Sequence, residues 1–308
     1  MRLVFLGTPE FAVPTLAKLY ADGHDIAAVY TQPDRPAGRS GQPVPPPVKR
    51  WAVAHGLPAH QPRSLRREPA QGELIALQPD ALVLVAYGLL LPQAVLNGAT
   101  HGGLNLHPSL LPRHRGPAPV VGALLAGDPD TGVSIMLMDA GMDTGPVLAQ
   151  QRTPIAPNEN AAELSDRLAH LGAALMAATL PHWAAGAIAP QPQDEALATY
   201  TRLLTKDDAV LDWTQPAETL ARQVRAYQPW PGTVTQWRDR TLKVLAASAV
   251  AGDATGEPGT AVATDAGAAV TTGQGLLALH TVQAEGRKPA DITDFLRGAR
   301  EFVGSRLG

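Results

Sequence analysis

The chain has 308 residues, of which 45% are hydrophobic and 17% charged, with a formal net charge of −3 and no cysteine. Such a length favours two domains, because single cores stop growing at about 250–300 residues. Disulfides, thiolate metal sites and cysteine nucleophiles are excluded, and no run reaches the roughly 18 apolar residues of a membrane span.

In chain order, "RLVFLG" (2–7) and "DIAAVYT" (25–31) are short apolar runs that predict strands, with a helix over 11–21 between them. A helix around 46–55, a short strand near "LPAHQ" and a helix in "EPAQGELIALQ" follow. "ALVLVAYG" (81–88) is a near-continuous apolar strand, the kind buried on both faces of a parallel sheet. Next come a helical stretch over 90–97, the strand "GLNLH", the helix "APVVGALLAG", a strand pair over 131–139 and 145–155, and a long helix over 161–186. Alternating strands and helices predict a Rossmann-like, doubly wound, mostly parallel α/β sheet, with ligands at the carboxyl ends of its strands.

The composition changes near 190. "APQPQDEALATYTRL" is polar and proline-bearing and is expected to be a linker. Beyond it, a helix over 217–227 precedes the runs "TVTQW", "TLKVLAA", "GTAVAT", "AAVTT" and "LLALHTV", and a last helix is expected over 290–297. Short strands between glycine-rich turns predict a small antiparallel barrel or sandwich. The expected division is a first domain over 1–189, a linker over 190–206 and a second domain over 207–308.

The charge is uneven. Between Arg35 and Arg67 stand seven basic residues and no acidic one, which leaves 18 basic against 28 acidic residues elsewhere. A basic window on an acidic protein suits a polyanionic partner, or else a solvated face with none. From Thr205 onward the balance is 11 basic to 12 acidic, so a nucleic-acid surface there would be a patch.

The first strand-to-helix turn, "GTPEFAVP", lacks G-x-G-x-x-G and puts Pro9 and Glu10 where a pyrophosphate needs close backbone approach, which argues against a nicotinamide enzyme. The run "HGGLNLHPSLLPRHRG" is more telling. Asn105 and His107 stand two apart on a strand and project from one face where the chain turns. Asp139 and Asp143 lie in the glycine-rich "MDAGMDTGP". Asn, His and Asp can build a site for acyl transfer to an amine: an amide to donate to the oxyanion, an imidazole to move a proton, a carboxylate to set its pKa. A buried polar pair satisfied by its neighbours is the competing reading. Ser109 as nucleophile lacks a G-x-S-x-G elbow, and His107, His114 and the two Asp residues lack zinc spacing.

"NLHPSLLPRHRGPAP" followed by "MDAGMDTG" resembles the signature of the 10-formyltetrahydrofolate-dependent formyltransferases. "FLGTPEFAVPTL", "TQPDRPAGR", "PVK", "VLVAYGLLLP", "TGVSIMLMDAGMDTGPVL" and "RAYQPWPGT" are similar to the members that formylate initiator methionyl-tRNA, so the likeness covers the chain. It implies a catalytic trio of Asn105, His107 and Asp143, a folate-binding turn of Ser109, Leu110, Leu111 and Pro112, and Arg39 reaching the tRNA acceptor stem. It also implies a formyltransferase domain with a C-terminal, OB-like β-barrel that helps hold the tRNA. After Arg39 the chain departs from the pattern, with "SGQPVPPP" where relatives often carry lysines.

The expectation is therefore an enzyme of translation initiation. It uses 10-formyltetrahydrofolate as co-substrate and initiator methionyl-tRNA as acceptor, with no metal, and acts as a cytoplasmic monomer without membrane contact. Asn105 and a protonated His107 would donate to the oxyanion, with Asp143 keeping His107 cationic. The alternatives are a formyltransferase for an amino sugar nucleotide, a 10-formyltetrahydrofolate hydrolase, and a silent tRNA-binding protein.

Overall fold

A computed structural model of the chain describes residues 1–36, 41–250, 252 and 256–308. Two compact units divide it. The first comprises Met1–Pro119, Asp130–Pro154 and Ser165–Thr201, and the second Val120–Pro129, Ile155–Leu164 and Arg202–Gly308.

The first unit contains β1 (Arg2–Gly7), β2 (Asp25–Tyr30), β3 (Arg35–Pro36), β4 (Pro43–Val44), β5 (Ala59–His60), β6 (Ala81–Val85), β7 (Gly103–His107), β8 (Asp130–Leu137) and β9 (Val147–Pro154). Seven of these form one sheet in the order β5-β2-β1-β6-β7-β8-β9, and β3 and β4 pair separately. β5, β2, β1, β6 and β7 run parallel, while β8 is antiparallel to both its neighbours. All five residues of β6 are buried, as its unbroken apolar run requires. One face of the central strands, with Val4, Leu6, Leu82 and Leu84, packs on Leu74 and Val95 from helices Glu68–Ile75 and Gln93–Leu96. The helix expected over 90–97 is only that single turn, because Pro92 has extended backbone and cannot lie inside a helix.

From β1 the chain winds outward to β2 and β5, then returns to build β6 and β7 on the other side. The strand order thus reverses between β1 and β6, which opens a crevice at their carboxyl ends. Gly7 ends β1 there, and a Cβ on it would stand 2.9 Å from the Val85 carbonyl oxygen, so only glycine lets the strands approach. Thr8, Gln32 and the Tyr87 carbonyl knit the strand ends: Thr8 Oγ1 and Gln32 Nε2 both donate to that carbonyl at 3.1 Å.

The second unit carries β10 (Val234–Trp237), β11 (Arg240–Val250), β12 (Ala261–Thr264), β13 (Gly267–Thr271), β14 (Leu276–Ala284) and β15 (Ala290–Asp291). They form an antiparallel half-barrel in the order β10-β11-β14-β13-β12, with β15 on β14. Arg238 and Asp239 join β10 to β11 with φ of 52° and 57°, the left-handed pair that matches strand twist in a two-residue hairpin. Register shifts between Val244 and Ala247 bend β11, as bulges do. Helix Ala217–Ala226 packs on β11 and β14, and Leu220 and Val224 join Trp213, Leu242, Val244, Leu277 and Phe302 in one core. Trp237, Phe295 and Phe302 meet edge-to-face at 5.2–5.5 Å. The two early excursions of the chain dock here too, where Arg225 donates to the Glu159 carbonyl at 3.2 Å.

Candidate active site

β7 places its residues by strand periodicity. Leu104 and Leu106 go to one buried face, and Gly172 of the helix Ala161–Ala184 lies so close that a Cβ there would stand 2.6 Å from the Leu106 methyls. Asn105 and His107 project together from the other face at the carboxyl end of the strand. Asn105 is half-buried, and among the described residues no hydrogen bond engages its side-chain amide. An unspent amide beside a buried imidazole is a donor with room for a ligand oxygen.

His107 is 4% exposed, and its Nε2 lies 3.0 Å from the His114 carbonyl. A carbonyl only accepts, so Nε2 carries the hydrogen and Nδ1 is left as the acceptor. Nδ1 faces Asp143 Oδ1 at 3.7 Å, too long for a hydrogen bond but close enough for strong charge coupling. The Asp143 backbone has φ of 55°, in the left-handed region that is strained for a side-chain-bearing residue. Its Oδ2 accepts from the Gly116 N–H at 2.9 Å. The two candidate aspartates separate cleanly: Asp139 accepts from the Gly141 N–H and the Thr144 hydroxyl, and so shapes its own loop.

Two influences compete at His107: Asp143 pulls its pKa up, as expected, and burial pulls it down. Burial pushes the imidazole below its ordinary value, outweighing the upward pull of Asp143 and the His114 carbonyl, while His114 itself adds to the lowering. That balance favours the neutral ring.

The turn Ser109–Pro112 is held from behind, with a cis peptide between Leu111 and Pro112. Ser134, fully buried on β8, donates its hydroxyl to the Ser109 carbonyl at 2.6 Å and accepts from the Leu111 N–H at 3.1 Å and from Gln150 Nε2 at 2.8 Å. Gln150 also donates to the Leu111 carbonyl at 2.8 Å. The Ser109 hydroxyl is spent on the Arg113 carbonyl, which removes it as a nucleophile for His107. Ser109 and Leu111 are buried, so Leu110 and Pro112 supply the turn's accessible surface. Replacing Ser134 with Ala leaves one donor and one acceptor of this turn unpaired. The melt of that variant should show a loss of about 1–3 kcal/mol.

Arg39 lies outside the described residues. Nearby, Lys49 pairs with Asp34 at 2.8 Å and donates to Gln61 at 2.6 Å. Asp34 stands one residue ahead of the basic window, so the window's field is weaker than its count implies. A cleft of about 420 Å³ opens at the β1–β6 crevice, with Thr8, Gln32, Arg35, Arg50 and Ala86 among its lining. No group of three or more His, Asp or Glu is gathered to hold a metal among the described residues. None of their helices is long and apolar enough to cross a membrane.

Sequence reasoning missed a second layer. Arg115 is fully buried and binds Glu195 through two parallel hydrogen bonds, at 2.7 and 2.9 Å. Gln193 bridges Arg115 to the Asp143 loop, and the Thr199 hydroxyl accepts from the His114 N–H at 2.8 Å. The one available signal was the second arginine of "RHRG", directly before a glycine.

A doubly wound sheet with an Asn–His–Asp cluster at a strand end, followed by an antiparallel half-barrel, is an arrangement suited to group transfer. The family comparison agrees: residues 1–180 match the family model described as formyl transferase, and residues 203–300 its C-terminal domain. The chain belongs to the formyl transferase family.

Over 310 residues it is 50% identical to the methionyl-tRNA formyltransferase of Roseiflexus sp. (strain RS-1), covering 100% of this chain and 95% of the relative. A crystal structure of WlaRD, a sugar 3N-formyl transferase in the presence of dTDP and 5-N-formyl-THF, superposes with a TM-score of 0.69 at 13% identity, covering 94% of this chain and 99% of that one. HypX from Aquifex aeolicus in complex with tetrahydrofolic acid gives 0.60 at 18%, covering 98% of this chain and 48% of HypX. At these identities the two structures speak for the fold.

Proposed function

We infer that the chain transfers the formyl group of 10-formyltetrahydrofolate to the α-amine of initiator methionyl-tRNA. The observation that carries this reading is full-length likeness, at 50% identity, to a methionyl-tRNA formyltransferase. The activity belongs where translation starts, and the compartment inferred for it is the cytoplasm. The chain would act as a monomer, with catalysis in 1–189 and the part over 207–308 helping to hold the tRNA.

In the reaction the amine nitrogen bonds to the formyl carbon, the bond from that carbon to N10 breaks, and one proton passes from the amine to N10. An α-amine titrates near pH 7.7–8.0, so a useful fraction is already neutral. Asn105 donates its free amide hydrogen to the formyl oxygen as charge develops there. Neutral His107 takes the amine proton on Nδ1, where Asp143 stabilises the imidazolium, and returns it to N10. The Nε2–H bond to the His114 carbonyl keeps the ring in the orientation this needs. Leu110 and Pro112 give the folate an apolar edge, and Ser109 and Leu111 hold that edge in place. A phosphodiester end suits the cleft bearing Arg35 and Arg50.

The test is formyl transfer with aminoacylated initiator tRNA, an amino sugar nucleotide, or no acceptor. Transfer to the sugar alone, or formate release without an acceptor, would overturn the assignment. For Arg39→Ala the expected result is a higher KM for tRNA, with a log–log salt slope shallower by about one.

A further inference from the structure

We propose that Gln193 is a positioning residue for Asp143. Its side-chain amide, aligned by the buried guanidinium of Arg115, holds the left-handed backbone of the Asp143 loop so that the carboxylate faces His107. The proposal rests on the reading of Asp143 as the partner of His107.

Gln193 Nε2 donates to the Asp143 carbonyl at 2.8 Å and to the Gly145 carbonyl at 2.7 Å. Its Oε1 accepts from Arg115 Nε at 3.0 Å and Nη2 at 2.9 Å. Both hydrogens and both lone pairs of the amide are therefore committed. A flipped amide would turn its NH2 onto the guanidinium, so the orientation is fixed by charge and not by choice.

Arg115 cannot drift either. Its remaining hydrogens go to Glu195 Oε1 and Oε2 at 2.7 and 2.9 Å and to the Tyr200 hydroxyl at 3.1 Å, which accounts for all five. The pairing holds the Glu195 carboxyl below its usual range. Together the residues form a strap that grips Asp143 by its carbonyl, while the Gly116 N–H grips its carboxylate. A strained backbone persists only where its surroundings over-determine it. Here they do so on both sides of a residue whose carboxylate is 3.7 Å from the catalytic ring.

Gln193→Glu tests this in the full chain, because it keeps the acceptor for Arg115 and turns two donors into an oxygen facing two carbonyls. With methionyl-tRNA and 10-formyltetrahydrofolate, kcat should fall about tenfold or more while both KM values stay within about threefold. The acid limb of the pH profile should move to lower pH, since a displaced Asp143 no longer raises the His107 pKa. Gln193→Ala removes the donors without adding charge and should act in the same direction.

In the Asp143→Asn background, Gln193→Glu should cost no more than about twofold, because the two act through one route. A kcat within about twofold of wild type in both single variants, with unmoved limbs, would overturn the proposal. So would a further loss of about tenfold in the double variant. Wild-type turnover in Asp143→Asn alone would instead bring down the underlying reading of the site.

Discussion

Asn105→Ala is expected to lower kcat by about 10²- to 10³-fold while the KM for the folate stays within about threefold. The asymmetry follows from where the amide stands: it is half-buried, and among the described residues no protein group holds its side chain. A preorganised donor costs no reorganisation when charge develops on the formyl oxygen. The ground-state carbonyl is a weaker acceptor, so binding loses little. Single-turnover rates at saturating folate read the effect directly. A kcat within about twofold of wild type would remove Asn105 from the chemistry.

Asp143→Asn is expected to lower kcat by about 10²-fold and to shift the acid limb of kcat/KM to lower pH. Burial already holds the His107 pKa below its ordinary value, and Asp143 is the largest opposing influence. If His107 is the base, activity is present above that depressed pKa and lost as pH falls through it. Removing the carboxylate lets the pKa sink further, so the limb moves down even as the rate drops. A cationic His107 acting as an acid would give the opposite picture, with activity lost as pH rises. Kcat/KM measured from pH 4.5 to 8 separates the two.

Much of the fold could be read from local patterns. β1 and β7 coincide with the runs "RLVFLG" and "GLNLH", because an apolar run closed by glycine or proline admits few alternatives. The reversal of β8 against β7 was readable only as a strand pair with β9, since strand direction depends on connections and not on side chains. The trio itself combined two signals, strand periodicity for Asn105 and His107 and a motif resemblance for Asp143.

The balance of influences on His107 was not legible in the sequence, for a physical reason. A carboxylate partner is visible in sequence, whereas the desolvation that outweighs it is a property of the packed site. The paired Lys49 shows the same limit, because a count of basic residues cannot see that Asp34 neutralises one of them. The polar stretch after 190 shows it again. Composition cannot distinguish residues that bond to water from residues that bond to a neighbouring loop.

That stretch also bears on how the protein can be divided. A chain ended at residue 189 would keep Asn105, His107 and Asp143 and every strand of the large sheet. It would nevertheless lose Gln193, Glu195 and Tyr200, the three side chains that occupy Arg115, and would leave a bare guanidinium at the back of the catalytic loop. Anyone seeking a first part that works alone, or a fusion that exchanges the C-terminal part, should carry the chain on through Thr201 before making the cut.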